Sequence, residues 1–113
     1  MTLPAIPGLA EQGYLTPDEA LALTDLPQRL VIVGEGASAV ELGRHFARLG
    51  VKVTLLQRQP GGAPSEEGLI IKTGVTIHEV TRHGRLVMVV AHVEGRRTSF
   101  HGEALVAADH TTR

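Results

Sequence analysis

A short turn rich in glycine has the residue types and the spacing that bind phosphate groups. It follows the apolar run Leu30–Val33 and precedes a stretch whose apolar residues recur with helical spacing. In such a unit the first glycine permits a tight turn, the second lets a phosphate approach the backbone, and the third position must be small. The residues of the turn, all candidates for cofactor binding, are Gly34, Glu35, Gly36, Ala37, Ser38 and Ala39. Because unpaired N–H groups at a helix start attract anions, the pattern predicts a pyrophosphate site for a dinucleotide. A glycine turn that binds nothing is the alternative.

The residues after the second predicted strand bear on which dinucleotide would fit. A site of this kind presents a carboxylate to the ribose hydroxyls of NAD, or a cation to the 2′-phosphate of NADP. Here Val51–Leu56 is followed by Gln57 and Arg58, with no carboxylate. The sequence therefore favours NADPH over NADH, with Arg58 as the candidate phosphate ligand. A solvated arginine at a strand end is the alternative.

The elements that would hold these residues alternate between strands and helices. A helix over residues 37–49 joins two buried runs, which is typical of a right-handed crossover in a parallel sheet. Its helical spacing predicts an inward side made of Val40, Gly43, Phe46, Ala47 and Leu49, and a mostly outward side made of Arg44, His45 and Arg48. Three later runs with turns between them indicate an antiparallel meander; they are Val75–Thr81, Leu86–Val93 and Thr98–His101. We expect Ala104–Ala108 to return to the parallel sheet, whereas Leu69–Lys72 is too short to assign to a helix. The prediction is an α/β, Rossmann-like fold with a βαβ dinucleotide-binding unit and a three-stranded antiparallel β-meander.

The region before the first strand has clear local signals. Residues 1–15 contain two prolines and two glycines and are predicted to be an extended leading segment. Thr16 suits the N-cap of a short helix, with Pro17 at the first helical position and Glu19 completing a capping box. We predict that residues 1–113 form a single NAD(P)H-binding domain.

Composition excludes several classes of protein. The 113 residues carry a net charge of −1, with 11 scattered basic residues, which disfavours a nucleic-acid partner. No apolar run approaches a membrane span, and the N-terminus has no basic and apolar signal pattern, so we expect a cytoplasmic protein. The chain has no cysteine and therefore no thiol nucleophile. Its six histidines are not spaced to converge, and no metal site is predicted.

Ordered motifs on both sides of the glycine turn carry a family resemblance. They are Ile6–Leu9, Tyr14–Thr16, Glu19–Leu21, Leu30–Gly36, Val40–Gly43, Phe46–Gly50 and Val53–Leu56. In this order they resemble the NAD(P)H-binding domain of the class I flavoprotein disulfide reductases, in particular the mercuric reductase and dihydrolipoamide dehydrogenase branches. The resemblance is dense over residues 6–58 and looser afterwards.

The resemblance implies roles for several residues. Gly34, Gly36 and Ala39 would line the pyrophosphate, and Glu41 would lie near the nicotinamide end. The final strand would bring Ala108 to the same cofactor. Three features depart from the family pattern: Glu35 places a carboxylate beside the pyrophosphate site, Asp109-His110 replaces a glycine-arginine pair, and the stretch between Gln57 and Gly74 is short.

The function that the resemblance implies is binding of NADPH or NADH without turnover by this chain alone. The sequence contains no FAD-binding fingerprint and no cysteine pair, and the flavin carries the chemistry in these enzymes. A flavin-bearing partner or a homodimer would then be expected. The three departures leave an alternative of another class, a degenerate interaction or dimerisation module that keeps the fold without the cofactor.

Overall fold

The computed structural model describes residues 6–62 and 64–108, which contain helices and strands in the predicted alternation. The helices are α1 (Leu9–Gln12), α2 (Pro17–Leu21) and α3 (Gly36–Arg48). The strands are β1 (Arg29–Val33), β2 (Lys52–Leu56), β3 (Leu69–Lys72), β4 (Val75–His83), β5 (Leu86–Val93), β6 (Arg96–Gly102) and β7 (Ala104–Ala107). No helix among the described residues is long and apolar enough to cross a membrane.

Four strands form a parallel sheet in the order β3-β2-β1-β7. Val33 at the end of β1 is in register with Leu56 of β2 and with Ala107 of β7. The carboxyl ends of these three strands therefore meet at one edge, where open α/β sheets bind their ligands. The βαβ unit and the return of the last strand to the sheet are confirmed.

The run Leu69–Lys72, which the sequence leaves unassigned, is the fourth parallel strand. Leu69 and Ile71 are buried, whereas Ile70 and Lys72 are exposed, so the strand has one buried face. Residues 65–66 fold back along it: the Ile71 N–H donates to Ser65 Oγ at 2.8 Å, and Glu66 and Leu69 exchange backbone hydrogen bonds. Hydrogen bonds to β2 on one side and to residues 65–66 on the other therefore stabilise this strand. Its four residues are too few to show a strand pattern in the sequence.

Helix α3 packs on the parallel sheet through a stripe of buried residues at helical spacing. They are Ala39, Val40, Leu42, Gly43 and Phe46. Leu49 was predicted to face inward as well, but it is 52% exposed because the helix ends at Arg48 and the chain turns away towards β2. Leu42 takes part in the core instead. The helix packs chiefly against β2, also contacts β1 and β3, and fixes the position of the glycine turn.

The leading segment differs from the extended chain that the sequence predicts. It contains the four-residue helix α1, in which Leu9 is buried. Val80 of β4 donates its N–H to the Pro7 carbonyl, so this helix lies along the meander. The predicted capping box of α2 is confirmed: the Glu19 N–H donates to Thr16 Oγ1 at 3.2 Å, and the Thr16 N–H donates to Glu19 Oε1 at 2.9 Å.

The predicted meander is confirmed as an antiparallel sheet in the order β4-β5-β6. One face of this sheet contributes Val80, Val87 and Val89 to a buried cluster. The parallel sheet contributes residues such as Val33 and Leu105 to the same cluster. The opposite face of the parallel sheet packs on α3, so the α/β layer is covered on both sides.

Candidate functional site

The two glycines of the turn serve different structural purposes. A Cβ at Gly34 would lie 3.0 Å from the Ala108 Cβ and 3.1 Å from the Ala39 Cβ, so the turn is closely packed at this point. Gly36 has φ +81°, and no described residue beyond its chain neighbours and its own helix backbone comes within 4 Å of the Cβ position. The first glycine therefore permits close contact inside the protein, whereas the second leaves open space above the start of α3. Ala39, fully buried, has the small side chain that the third position requires.

The start of α3 keeps its backbone N–H groups free of a side-chain cap. Glu35 is the N-cap residue, but its carboxylate makes no capping hydrogen bond to its own helix. The first N–H groups of a helix have no intrahelical partner. Those of Ala37 and Ser38 accordingly have no capping acceptor within the described residues, which is the arrangement that binds anions at a helix N-terminus.

The Glu35 carboxylate instead reaches the loop that follows β2. Its Oε2 accepts a hydrogen bond from the Arg58 N–H at 2.6 Å, and its Oε1 accepts one from the Gln59 N–H at 3.2 Å. The Arg58 Nε lies 3.8 Å from Oε2. Glu35 therefore neither points into solvent nor caps the helix. It joins the glycine turn to the end of the second strand.

An open cleft of about 770 Å³ lies between the start of α3 and the loop after β2. Its walls are Glu35, Gly36, Ala37, Val40, Glu41 and Arg44 on one side, and Gln57, Gln59, Pro60, Gly61 and Gly62 on the other. Five of the predicted cofactor-binding residues are thus brought together here. Gly34 and Ala39 face the protein interior and do not line the cleft. Arg58 lies beside the cleft, where it contacts Glu35.

Gln57 is a buried polar side chain in the wall of this cleft. It is only 5% exposed, yet its amide makes no hydrogen bond within the described part of the chain. The backbone of Gln57 is fully engaged, since its N–H donates to the Lys72 carbonyl at 2.8 Å and its carbonyl accepts from Val75. A buried amide without a partner is costly and calls for an explanation. A polar ligand atom in the cleft would provide one.

The remaining predicted residues lie around a neighbouring groove of about 530 Å³ between α2 and α3. Ser38, Glu41 and Ala108 line it, together with Leu21 and His45. Glu41 borders both this groove and the cleft, and Ala108 is held next to the turn by a hydrogen bond from its N–H to the Val33 carbonyl at 2.7 Å. Asp109-His110, the second departure from the family pattern, lies outside the described residues.

Arg44 at the rim of the cleft was predicted only as an outward-facing residue. Its Nη1 lies 2.5 Å from the Glu41 carboxylate and its Nη2 lies 2.7 Å from the Glu66 carboxylate. The Arg44 hydrogen bonds lower the pKa of Glu66, and those carboxylates raise the pKa of Arg44 in turn, Glu66 more than Glu41. The spacing of Glu41 and Arg44 on one helix could have indicated their pairing, whereas nothing in the sequence indicates Glu66.

Two further groupings do not form part of the site. A cavity of about 800 Å³ lies at the opposite edge of the parallel sheet, where Arg29, Arg85 and Glu103 line it. The rings of His78 and His92 are 4.3 Å apart on the meander. In residues 6–62 and 64–108 no three histidine, aspartate or glutamate side chains converge as a metal site would require.

The parallel sheet with its crossover helix, the glycine turn at its carboxyl edge and the added meander define a Rossmann-like α/β fold of the kind found in flavoprotein disulfide reductases. The family model described as pyridine nucleotide-disulphide oxidoreductase matches residues 1–109. The chain belongs to this oxidoreductase family.

Named relatives agree with this assignment. The mercuric reductase of Staphylococcus aureus is 34% identical over 94% of this chain, which spans 22% of that protein. The dihydrolipoyl dehydrogenase of Chlorobaculum tepidum is 36% identical over 65% of this chain and 18% of its own length. Among solved structures, the HOCl-induced flavoprotein disulfide reductase RclA from Escherichia coli superposes with a TM-score of 0.79 and 28% identity, covering 96% of this chain and 27% of RclA. The chain thus spans about a fifth of the curated relatives' length.

Proposed function

We propose that residues 1–113 form the NAD(P)H-binding unit of a flavoprotein oxidoreductase related to mercuric reductase. The cofactor would lie in the cleft between the start of α3 and the loop after β2. The observation that carries this proposal is the unpartnered, buried amide of Gln57 in a cleft that also holds the uncapped start of α3. Both features suit a polar ligand, and a dinucleotide has hydroxyl groups and a pyrophosphate to offer.

The residues present fit the parts of such a cofactor. The N–H groups of Ala37 and Ser38 would bind the pyrophosphate, and the missing side chain of Gly36 would let it approach the backbone. Gln57 would bind the adenosine ribose, because it follows the second strand directly. Glu41 and Ala108 border the groove on the other side of the turn and would lie towards the nicotinamide.

The contribution of this chain would be binding and orientation. A bound nicotinamide supplies the hydride, and a flavin-bearing partner or flavin-bearing part of the protein would accept it. Arg44 holds Glu41 at the rim of the cleft and would keep its carboxylate from moving over the cofactor. A cytoplasmic location, which the sequence predicts, stays a prediction.

The test is a calorimetric titration of the purified chain with NADH and, separately, with NADPH. We expect saturable binding of one stoichiometric cofactor, and a Gln57→Ala variant should bind it at least about ten-fold more weakly because one or two hydrogen bonds are lost. Gln28→Ala, an exposed glutamine at the opposite edge of the sheet, is the matched control. A wild-type chain that shows no saturation at millimolar concentrations of both cofactors would overturn the proposal.

The alternative is an interaction module without a cofactor. Pairing of two chains through β3 would require a free strand edge, and Ser65 already accepts the Ile71 N–H on that side. The same titration separates the two functions, since a dimer whose melting temperature does not respond to cofactor is expected only of the interaction module.

A further inference from the structure

We propose that Glu35 makes the cleft select a dinucleotide with a free ribose 2′-hydroxyl, NADH, and reject the 2′-phosphate of NADPH. This inference rests on the proposed function. It also reverses the cofactor preference that the sequence indicates through Arg58. The residue responsible is the middle residue of the glycine turn, which sequence patterns assign to no contact with the second strand.

The first step concerns the anion site at the end of β2. The backbone N–H groups of Arg58 and Gln59 and the Arg58 side chain form a group of donors that would suit a phosphate. In this protein the Glu35 carboxylate already binds both N–H groups, at 2.6 and 3.2 Å, and its Oε2 lies 3.8 Å from the Arg58 Nε. The place where a 2′-phosphate would find its donors is therefore filled by an anion that belongs to the protein.

The second step concerns charge. A phosphate monoester carries about −1.5 to −2 charges at neutral pH, and it would have to displace the carboxylate or lie beside it. The Glu35 side chain is 24% exposed, so solvent screens this repulsion only in part. A ribose with free hydroxyls brings no charge. Its hydroxyl groups can donate to the lone pairs of Glu35 that the two N–H groups leave unused.

The third step concerns the neighbouring amide. Gln57 is buried in the same wall of the cleft and has both donors and an acceptor to offer. A ribose hydroxyl group can accept a hydrogen bond from the amide N–H groups and donate one to the amide oxygen, whereas a fully ionised phosphate can only accept hydrogen bonds. Glu35 from the turn thus takes the position that an acid at the end of the second strand takes in NAD sites.

The test compares dissociation constants of NADH and NADPH, measured by calorimetry, for wild type and Glu35→Gln. Wild type should bind NADH at least about ten-fold more tightly, and Glu35→Gln should lower that ratio by at least about ten-fold, chiefly by tightening NADPH. The glutamine keeps an oxygen that can accept the Arg58 N–H, so the loop stays in place. Glu67→Gln removes the same charge from an exposed position in the nearby loop and should leave the ratio within about two-fold.

A double variant guards against indirect effects. If the gain in NADPH affinity comes from releasing the Arg58 side chain from the charge of Glu35, then Glu35→Gln with Arg58→Gln should lose most of it. The amide resonances of Arg58 and Gln59 should shift in Glu35→Gln and should respond to 2′,5′-ADP only in that variant.

The outcomes distinguish this inference from the proposed function. A wild type that binds NADPH as tightly as NADH, or a ratio that Glu35→Gln leaves unchanged, would overturn the role of Glu35 and leave cofactor binding intact. If neither cofactor binds to wild type or to Glu35→Gln, both the function and the inference are overturned.

Discussion

Gly34 and Gly36 stand two residues apart, yet a methyl group added to each would meet different surroundings. At Gly34 it would press on Ala108 and Ala39, at 3.0 and 3.1 Å, so Gly34→Ala should destabilise the fold by about 1–3 kcal/mol. At Gly36 it would meet no atom of the described residues within 4 Å beyond its chain neighbours and its own helix backbone, and the cost would be that of a positive φ, about 1–2 kcal/mol. The cleft above Gly36 is where a phosphate would approach.

We therefore predict that Gly36→Ala weakens binding of NADH by at least about ten-fold while the chain stays folded. Gly84→Ala is the matched control, because Gly84 also has a positive φ, +64°, and open space around it, but lies in the turn between β4 and β5. The two variants should unfold at similar urea concentrations and differ only in the calorimetric titration. Equal cofactor affinity in both would show that the phosphate does not approach the turn at Gly36.

Some features of the site could be predicted from residue types and others could not. The roles of Gly34, Gly36 and Ala39 follow from local rules that connect three glycine-like positions with one strand and one helix. The contact of Glu35 with residues 58 and 59 joins positions 23 and 24 residues apart. It depends on which way one side chain points after the sheet has formed, and no local pattern determines that.

At the scale of elements, the corner between β6 and β7 is tied to the start of β1. The Glu103 carboxylate accepts the Arg29 N–H at 2.8 Å and lies 3.3 Å from the Arg29 Nη2. The Glu103 N–H donates to the Arg29 carbonyl at 3.1 Å. The hydrogen bond from the Arg29 backbone lowers the pKa of Glu103 more than burial raises it. The carboxylate therefore stabilises the junction of three strands while it is ionised.

A pH dependence of stability follows, and its sign is fixed by the lowered pKa. Since the unfolded chain takes up the proton first, the contribution of Glu103 is fully present above the unfolded pKa of about 4.3 and is lost as the pH falls through the lower folded value. Glu103→Gln should cost about 1 kcal/mol at pH 7 and less at pH 3. Urea unfolding across this range measures the difference. A cost that is the same at both pH values would contradict the assignment, and Glu67→Gln is the control.

The elements themselves were largely predictable because most of them carry their own pattern. β1 and β2 are mostly apolar runs on either side of a stretch with helical spacing, and the capping residues of α2 mark its first turn. β3 has four residues, too few to show a helical or a strand period, and its strand form depends on pairing with β2 and on Ser65. The conformation of so short an element depends on its neighbours in space, and the sequence alone does not show which residues those neighbours are.

At the scale of the whole molecule, the two sheets share one of the two hydrophobic clusters that the described residues form. Val89 at the centre of the meander and Leu105 of the parallel sheet are both in this cluster, and both are at most 2% exposed. Phe46 belongs to the other cluster, between α3 and the parallel sheet. Unfolding of the parallel sheet would expose the apolar face of the meander to water, so the meander should not persist when the parallel sheet unfolds.

We therefore predict a single cooperative unfolding transition. Phe46→Ala, in the cluster that the meander does not reach, should lower the free energy of unfolding by about 3–5 kcal/mol and reduce amide protection in both sheets equally. Val89→Ala, in the shared cluster, should cost about 2 kcal/mol and likewise act on both. Native-state hydrogen exchange at amides of β2 and β5 measures this. Protection in β5 that survives Phe46→Ala while protection in β2 falls would show that the meander is stable independently, and the two sheets would then be separate folding units.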